Sequence, residues 1–324
     1  MAMYYNSYSS FFRTTFGSRL QKISIDAGFG CPNRDPSDRS MGGCSFCNNA
    51  AFNPSYCSPA KKISQQIDEG VEFHERRYRN ADGYLAYFQA YSNTFAPLPT
   101  LERLYSEALQ HPEIKGIIIG TRPDCVDEDK LDFIASLKEF NGQHRFVAVE
   151  YGIESCYDST LIRINRGHDF AATRHAVEMT AQRGIHCGGH LIIGLPGESR
   201  SMILDEAGIV NSLPLNSIKL HQLQILKGSA LEHEWPLDDC LAFPLDEYIS
   251  LVCDILERLR PDLLIERMAG EVPPRFQAHP ELSWRRPDGR LIRNEEIAPL
   301  VNAELQRRGS RQGAKYNATA ANNP

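Results

Sequence analysis

The sequence contains no run of about eighteen apolar residues, the length that a membrane-crossing helix requires. Its first residues, "MAMYYNSYSSFFRTTFGSRL", lack the charged-then-apolar order of a secretory leader. Together these absences predict a cytoplasmic protein with no membrane partner. Internal repeats are missing, and so is low-complexity sequence apart from the terminal "NATAANNP", which is expected to be disordered. A strong positive charge is missing too, because the net charge of −6 does not mark a nucleic-acid binder. The cysteine count, nine, is odd. In a reducing compartment such cysteines are expected to be buried, metal-bound or reactive rather than paired as disulfides.

What is present is enough for a full core. With 324 residues, 42% hydrophobic and 23% charged, the chain suits one large α/β domain plus an appendage. Six β-rich runs, 22–28, 84–91, 115–121, 145–153, 186–196 and 217–226, alternate with amphipathic stretches at 61–80, 100–111, 127–140, 170–183 and 199–212, and a sixth helix candidate, 245–259, follows. Strands separated by single helices imply right-handed crossovers and a parallel sheet, either doubly wound or curled into a barrel. In both, the functional residues gather at the C-terminal ends of the strands. The expected organisation is an N-terminal extension at 1–20, the α/β core at 21–235, a helical and basic extension at 236–316, and a disordered tail at 317–324. Charge is unevenly spread: Trp284 to Tyr316 carries eight Lys/Arg against four Asp/Glu, a local +4, which leaves −10 elsewhere. This segment is either an electrostatic footprint for a polyanion or a solvated helix face.

Residues 28–48, "GFGCPNRDPSDRSMGGCSFCN", place Cys31, Cys44 and Cys47 in a glycine-rich loop directly after the first strand. The C-x2-C pair looks like half of a zinc ribbon, but no second C-x2-C or H-x3-H closes it. Cys57 could serve as a fourth zinc ligand. An iron–sulfur cubane instead accounts for three thiolates, since three irons take cysteine and the fourth stays open. Gly28, Gly30, Gly42 and Gly43, with Pro32, suit a backbone that wraps closely round a cluster.

At this point the chain resembles the radical S-adenosylmethionine (SAM) enzymes. The long gap between the first two cysteines departs from their common C-x3-C-x2-C and is similar to the Elp3-like branch, with its bacterial YhcC/YtqA-like members. The resemblance runs from about residue 20 to 235 through "CPNRD", "GGCSFCN", "YFQAYSNTFA", "GTRPDCV", "INRGHDF", "HLIIGLPGE" and "IKLHQLQILKGS". It implies a partial (β/α)6 TIM-like barrel with a small C-terminal extension, a [4Fe–4S] cluster on Cys31, Cys44 and Cys47, and reductive cleavage of SAM to methionine and a 5′-deoxyadenosyl radical. It also implies Ser92, Asn93 and Thr94 at the methionine ammonium, Glu154 with Glu150 at the ribose, Arg166 at the SAM carboxylate, and the strand end at Gly194 beside adenine. A flavodoxin- or ferredoxin-like electron donor is implied as a partner.

Each assignment has a structural counterpart. Glu150 and Glu154 could be surface carboxylates, and Arg122 and Asp124 a turn pair. His168 and His190 are proton carriers or hydrogen-bonded core histidines. Cys125, Cys156 and Cys187 are most simply small buried residues. The Elp3-like branch modifies the wobble uridine of tRNA, so the resemblance implies a tRNA substrate, with no room in this chain for an acetyltransferase domain. The alternatives are a radical SAM enzyme on a small metabolite and a zinc-stapled RNA-binding module without catalysis.

Overall fold

The computed structural model describes residues 3–35, 37, 42–77, 81–236, 239–240 and 242–318. Strands β1 (Leu20–Ile25), β2 (Gly83–Phe88), β3 (Ile114–Thr121), β4 (Phe146–Glu154), β5 (His186–Ile193), β6 (Ser217–Gln222) and β7 (Leu264–Arg267) form one seven-stranded sheet in sequence order. Every pairing in it is parallel. The crossovers carry helices α2 (Ile63–Arg77), α3 (Leu98–Gln110), α4 (Glu128–Ser136), α5 (Asp158–Arg163), α6 (Phe170–Gln182), α7 (Arg200–Ser212), α8 (Ala230–Glu234) and α9 (Leu245–Arg258). Local chemistry starts several of them: Asp127, Asp169 and Ser199 each accept a hydrogen bond from the backbone N–H three residues on.

The sheet is curled rather than flat. Lys22 on β1 and Glu266 on β7, its two edge strands, lie 2.5 Å apart across the open side. Inside the curl the residues stack in layers, as alternation along barrel strands requires. The lowest layer is apolar: Leu85, Tyr87, Ile118, Phe146, Ala148 and Leu264 pack with Tyr8 and Phe12 of the N-terminal helix α1 (Tyr8–Phe16), which plugs the base. Above it lies an ionic layer. Glu150 on β4 meets Lys22 at 2.8 Å and Lys219 of β6 at 2.5 Å, and Glu266 meets Lys219 at 3.0 Å. Gly188 on β5 makes room for this layer, because a Cβ there would lie 3.1 Å from Glu150 Cγ. The larger apolar core lies outside the sheet, under the helices.

All six expected strands and six expected helices occur with small shifts at their ends. Helices α1, α5 and α8 have no counterpart among the expected helices, and three further elements differ. Strand β7 lies in the segment expected to be helical, since four residues, "LIER", carry no periodic signal and become a strand by pairing with β6. Helix α4 stops at Ser136 and is followed by a small hairpin, because Asn141 and Gly142 both adopt positive φ, the geometry of a tight hairpin turn. A last helix, α10 (Asn294–Arg307), packs on α9. Of the tail expected to be disordered, 319–324 lies outside the described residues.

Two buried carboxyls sit where α7 meets the end of β4. Glu198 accepts from Ser155 Oγ at 2.5 Å, and Glu206 accepts from the Cys156 backbone N–H at 2.8 Å. Burial pushes Glu198 up to about 7 and, with the charge of Glu198 added, Glu206 up to about 8. The folded chain therefore holds protons that the unfolded chain releases above the ordinary carboxylate range. This contribution is present below the unfolded value of 4.5 and is lost as pH rises through about 8. Glu206→Gln keeps the acceptor for Cys156 and removes the titration. Its melting temperature is expected to gain on the wild type between about pH 6 and about pH 9 in a pH series of thermal melts. A gap that stays constant across that range counts against the assignment.

Candidate active site

The site is built at the C-terminal ends of the strands, around the loop that leaves β1. That loop is pinned on three sides. Ser92 N–H donates to Gly30 O at 3.0 Å, Ser45 N–H to Ile164 O at 2.9 Å, and Leu231 N–H of α8 to Ser45 O at 3.0 Å. Asn33 reaches from the loop to Asn165 O at 2.5 Å, and Asn165 donates back to Gly43 O at 2.8 Å. The segment after α5 must come very close for this. Gly167, at φ +78°, leaves no room for a side chain, because a Cβ would sit 2.8 Å from Asn33 Oδ1.

Cys31, Cys44 and Cys47 all line one cavity of about 230 Å³. Donors meet two of the sulfurs: Arg166 Nη1 lies 3.4 Å and Asn33 Nδ2 3.8 Å from Cys44 Sγ, and Asn49 Nδ2 lies 3.5 Å from Cys47 Sγ. Arg34 donates to Cys47 O at 2.9 Å. Burial, with the neighbouring Cys44, holds the Cys47 thiol above its ordinary value, so metal binding there must displace a proton. Three thiols lining one cavity, with hydrogen-bond donors at the sulfurs of Cys44 and Cys47, are a donor set that fits an iron–sulfur cluster. Cys57 is not part of that cavity's lining. Its thiol donates to Ser24 O at 3.0 Å, and burial pushes it up to about 12. Among the described residues, no group of three His, Cys, Asp or Glu has the spacing of one metal ion's ligands.

Arg166 is buried beside the cysteines. It donates to Gly152 O at 2.6 Å and lies 3.5 Å from Glu154 Oε1, while its Nε is buried without a partner. Against the cost of burial, Cys44 and Glu154 hold this guanidinium charged. Glu154 reaches it through a register shift at the end of β4 that leaves the residue at φ +67°, a strained conformation for a non-glycine residue. Arg122 makes a paired contact with Asp124 at 2.8 and 2.7 Å and donates to Arg166 O at 2.7 Å, so the "GTRPDC" pair braces the arginine beside it.

The remaining sequence-derived residues separate into two groups. Ser92, Glu150, Glu154 and Arg166 line the cavity, whereas Asn93, Thr94 and Gly194 do not. Asn93 donates to Phe88 O and Gly120 O, and Thr94 pairs with Thr121 at 2.7 Å, so both fasten the turn after β2. Gly194 O accepts the Cys240 thiol at 3.3 Å. Both oxygens of Glu150 are taken, by Lys22 on one side and by Lys219 and His190 on the other. Burial alone would raise its pKa, but Lys219 and Lys22 outweigh that and hold it well below the usual carboxylate range. His190, lowered by burial and Lys219, stacks on His221 with ring centres 6.0 Å apart. His168 is pushed down to about 4 by burial and Arg166 and lies outside the cavity lining. Cys125, Cys156 and Cys187 are buried, also away from it. Sequence reasoning missed Lys22, Lys219, Asn33 and Arg34. The signal for the first two was a lysine inside each of the apolar runs "KISI" and "SIKL".

Residues 28–207 match the radical SAM superfamily, and residues 215–294 match the Radical_SAM C-terminal domain. The chain belongs to the radical SAM superfamily. Its similarity to protein YtqA of Bacillus subtilis (strain 168) is 33% identity over 309 residues, covering 95% of this chain and 92% of that one. Protein YhcC of Escherichia coli (strain K12) is 35% identical over 255 residues, 79% of this chain and 80% of its own. The fold is shared with an N-terminally truncated Elp3 of the archaeon Methanocaldococcus infernus, with a TM-score of 0.65 at 16% identity, spanning 91% of this chain and 64% of that chain. The family implies a [4Fe–4S] cluster and SAM. It makes the chain an enzyme, and its curled half-barrel agrees with the seven parallel strands seen here.

The basic segment of this radical SAM protein is largely neutralised. Arg286 pairs with Glu296, Arg290 with Asp288, Arg293 with Glu271, Arg307 with Glu304, Arg308 with Asp254 and Glu304, and Lys315 with Glu257. Among the described residues no helix is long and apolar enough to cross a membrane.

Proposed function

We propose that Cys31, Cys44 and Cys47 hold a [4Fe–4S] cluster, and that the cavity they line binds SAM with Arg166 on its carboxylate and Glu154 on its ribose hydroxyls. When bound, the reduced cluster supplies the electron that cleaves the sulfonium of SAM. The observation that carries this reading is the meeting of three thiols and a buried arginine with an unpartnered Nε in one cavity at the strand ends. Ser92 adds a hydroxyl there, Arg122 braces Arg166, and the ionic layer forms the floor. Arg166→Ala is expected to weaken SAM binding about ten- to a hundredfold, the effect of losing a charge-assisted contact, while iron content stays near wild type. Titration of SAM into the reconstituted variant reads this, and unchanged affinity would move the carboxylate site elsewhere.

The substrate on this reading is a tRNA uridine, transformed with an electron donor of the flavodoxin or ferredoxin kind. Support comes from the Elp3-like motifs and from a more distant relative, the tRNA uridine(34) acetyltransferase of Dehalococcoides mccartyi, 25% identical over 53% of this chain and 36% of its own. Nucleoside profiling of tRNA from a deletion strain tests it, with loss of one uridine-derived nucleoside expected. An unchanged profile favours the second reading, a small metabolite. The internal ion pairing of residues 286–315 supports that alternative, since a cation already paired has less attraction left for phosphate.

A further inference from the structure

Beyond the cysteine-lined cavity the half-barrel opens into a second cleft of about 630 Å³. Its walls come from Ser24 and Phe73 on one side and from the ends of β6 and β7 with the C-terminal segment on the other. Seven residues line both spaces: Phe52, Gln89, Gln222, Leu223, Gln224, Arg267 and Gly270. Whatever passes from the cleft to the cavity passes them.

Arg267, the last residue of β7, stands apart among the cations here. Five others line the two spaces, and each is engaged: Arg34 with Cys47 O, Arg122 with Asp124, Arg166 with Gly152 O, Lys219 with Glu150, and Arg293 with Glu271. Arg267 is exposed, and its side chain has no hydrogen bond or ion pair to any described residue. The carboxylates beside it in sequence are committed elsewhere, Glu266 to Lys22 and Lys219 and Glu271 to Arg293. Two spare polar atoms belong to residues that line the same cavity. Gln224 gives its Nε2 to Gly270 O, which leaves Oε1 buried and unpartnered, and His221 Nε2 is also buried without a partner. Gly270 allows that packing, since a Cβ would stand 2.9 Å from His221 Nδ1. An unpaired guanidinium fork suits a carboxylate or phosphate, and a spare amide oxygen suits an N–H or O–H next to it.

We propose that Arg267, with Gln224 and His221, is a substrate-binding subsite at the junction of cavity and cleft, which takes an acidic group, carboxylate or phosphate, and a neighbouring hydrogen-bond donor. It rests on the reading of the cysteine-lined cavity as the cofactor site, and makes β7 the strand that selects the substrate. The chain has two tryptophans, Trp235 and Trp284, and both line the cleft, so its intrinsic fluorescence reports on this space.

The test is a fluorescence titration of the purified full chain, without cluster or SAM, using uridine 5′-monophosphate, uridine, inorganic phosphate and acetate. Saturable binding of the nucleotide is expected, tighter than that of uridine, with competition by phosphate if the recognised group is a phosphate and by acetate if it is a carboxylate. Arg267→Gln is expected to bind the acidic probes at least roughly tenfold more weakly, and Arg267→Lys to recover part of the loss. The exposed, unpartnered side chain makes both variants foldable, and a thermal melt checks this. Equal affinity of wild type and Arg267→Gln for every acidic probe overturns the proposal, as does a wild type that binds none of them. The cofactor assignment fails separately, through iron content in the cysteine variants, because the titration uses neither cluster nor SAM.

Discussion

Replacing Cys31, Cys44 or Cys47 by Ala is expected to abolish iron retention and SAM cleavage together, while Cys57→Ala leaves both near wild type. Each of the three thiols faces the shared cavity, and removing one leaves a corner of the cluster without its anionic donor. Cys57 donates to a strand carbonyl and lies outside that lining. Iron and sulfide are to be counted after anaerobic reconstitution, and methionine and 5′-deoxyadenosine measured under reducing conditions. A Cys57→Ala protein that loses its metal as completely as the other three would sink the three-thiolate site and revive a four-ligand zinc site.

Breaking the ionic layer is expected to cost the most stability. Glu150→Ala leaves Lys22 and Lys219 facing the single carboxylate of Glu266, an uncompensated charge where the Glu150 and Lys219 side chains are 1% and 4% exposed. Removing one member of a buried ion pair costs about 3–5 kcal/mol, so a fall of that size in unfolding free energy should be read from urea titrations. The layer joins both edges of the sheet, so the loss should also reduce protection of β1 and β7 amides in hydrogen exchange. The carboxyl of Glu150 is depressed, so its contribution is present above the ordinary carboxylate range and lost as pH falls through its lower folded value. A change below about 1 kcal/mol would mean that water reaches the pair and screens it.

The order of strands and helices, and the loop that carries the cysteines, were legible in the sequence because they rest on local signals. Alternating apolar runs, caps such as Asp127 and Ser199, and the glycines around Cys44 act over a few residues. The motif order also carried the family. What tertiary structure alone decided depends on residues far apart in the chain. The motif "YSNT" does not say what Asn93 and Thr94 touch, because the bonds that fasten their side chains to Gly120 and Thr121 exist only once β2 and β3 lie side by side. Glu150 looks like a free carboxylate until the curl brings Lys22 from 128 positions away and Lys219 from 69. The basic C-terminal segment is positive as a string of letters and largely paired as a surface, because α9 and Glu271, which follows β7, present acids to it. Strand β7 has the weakest sequence signal of the seven and becomes a strand by pairing with β6, yet it closes the ionic layer with Glu266 and offers Arg267 to the cleft. Charge pairing, burial and strand addition depend on distances between elements, and a sequence lists its residues without those distances.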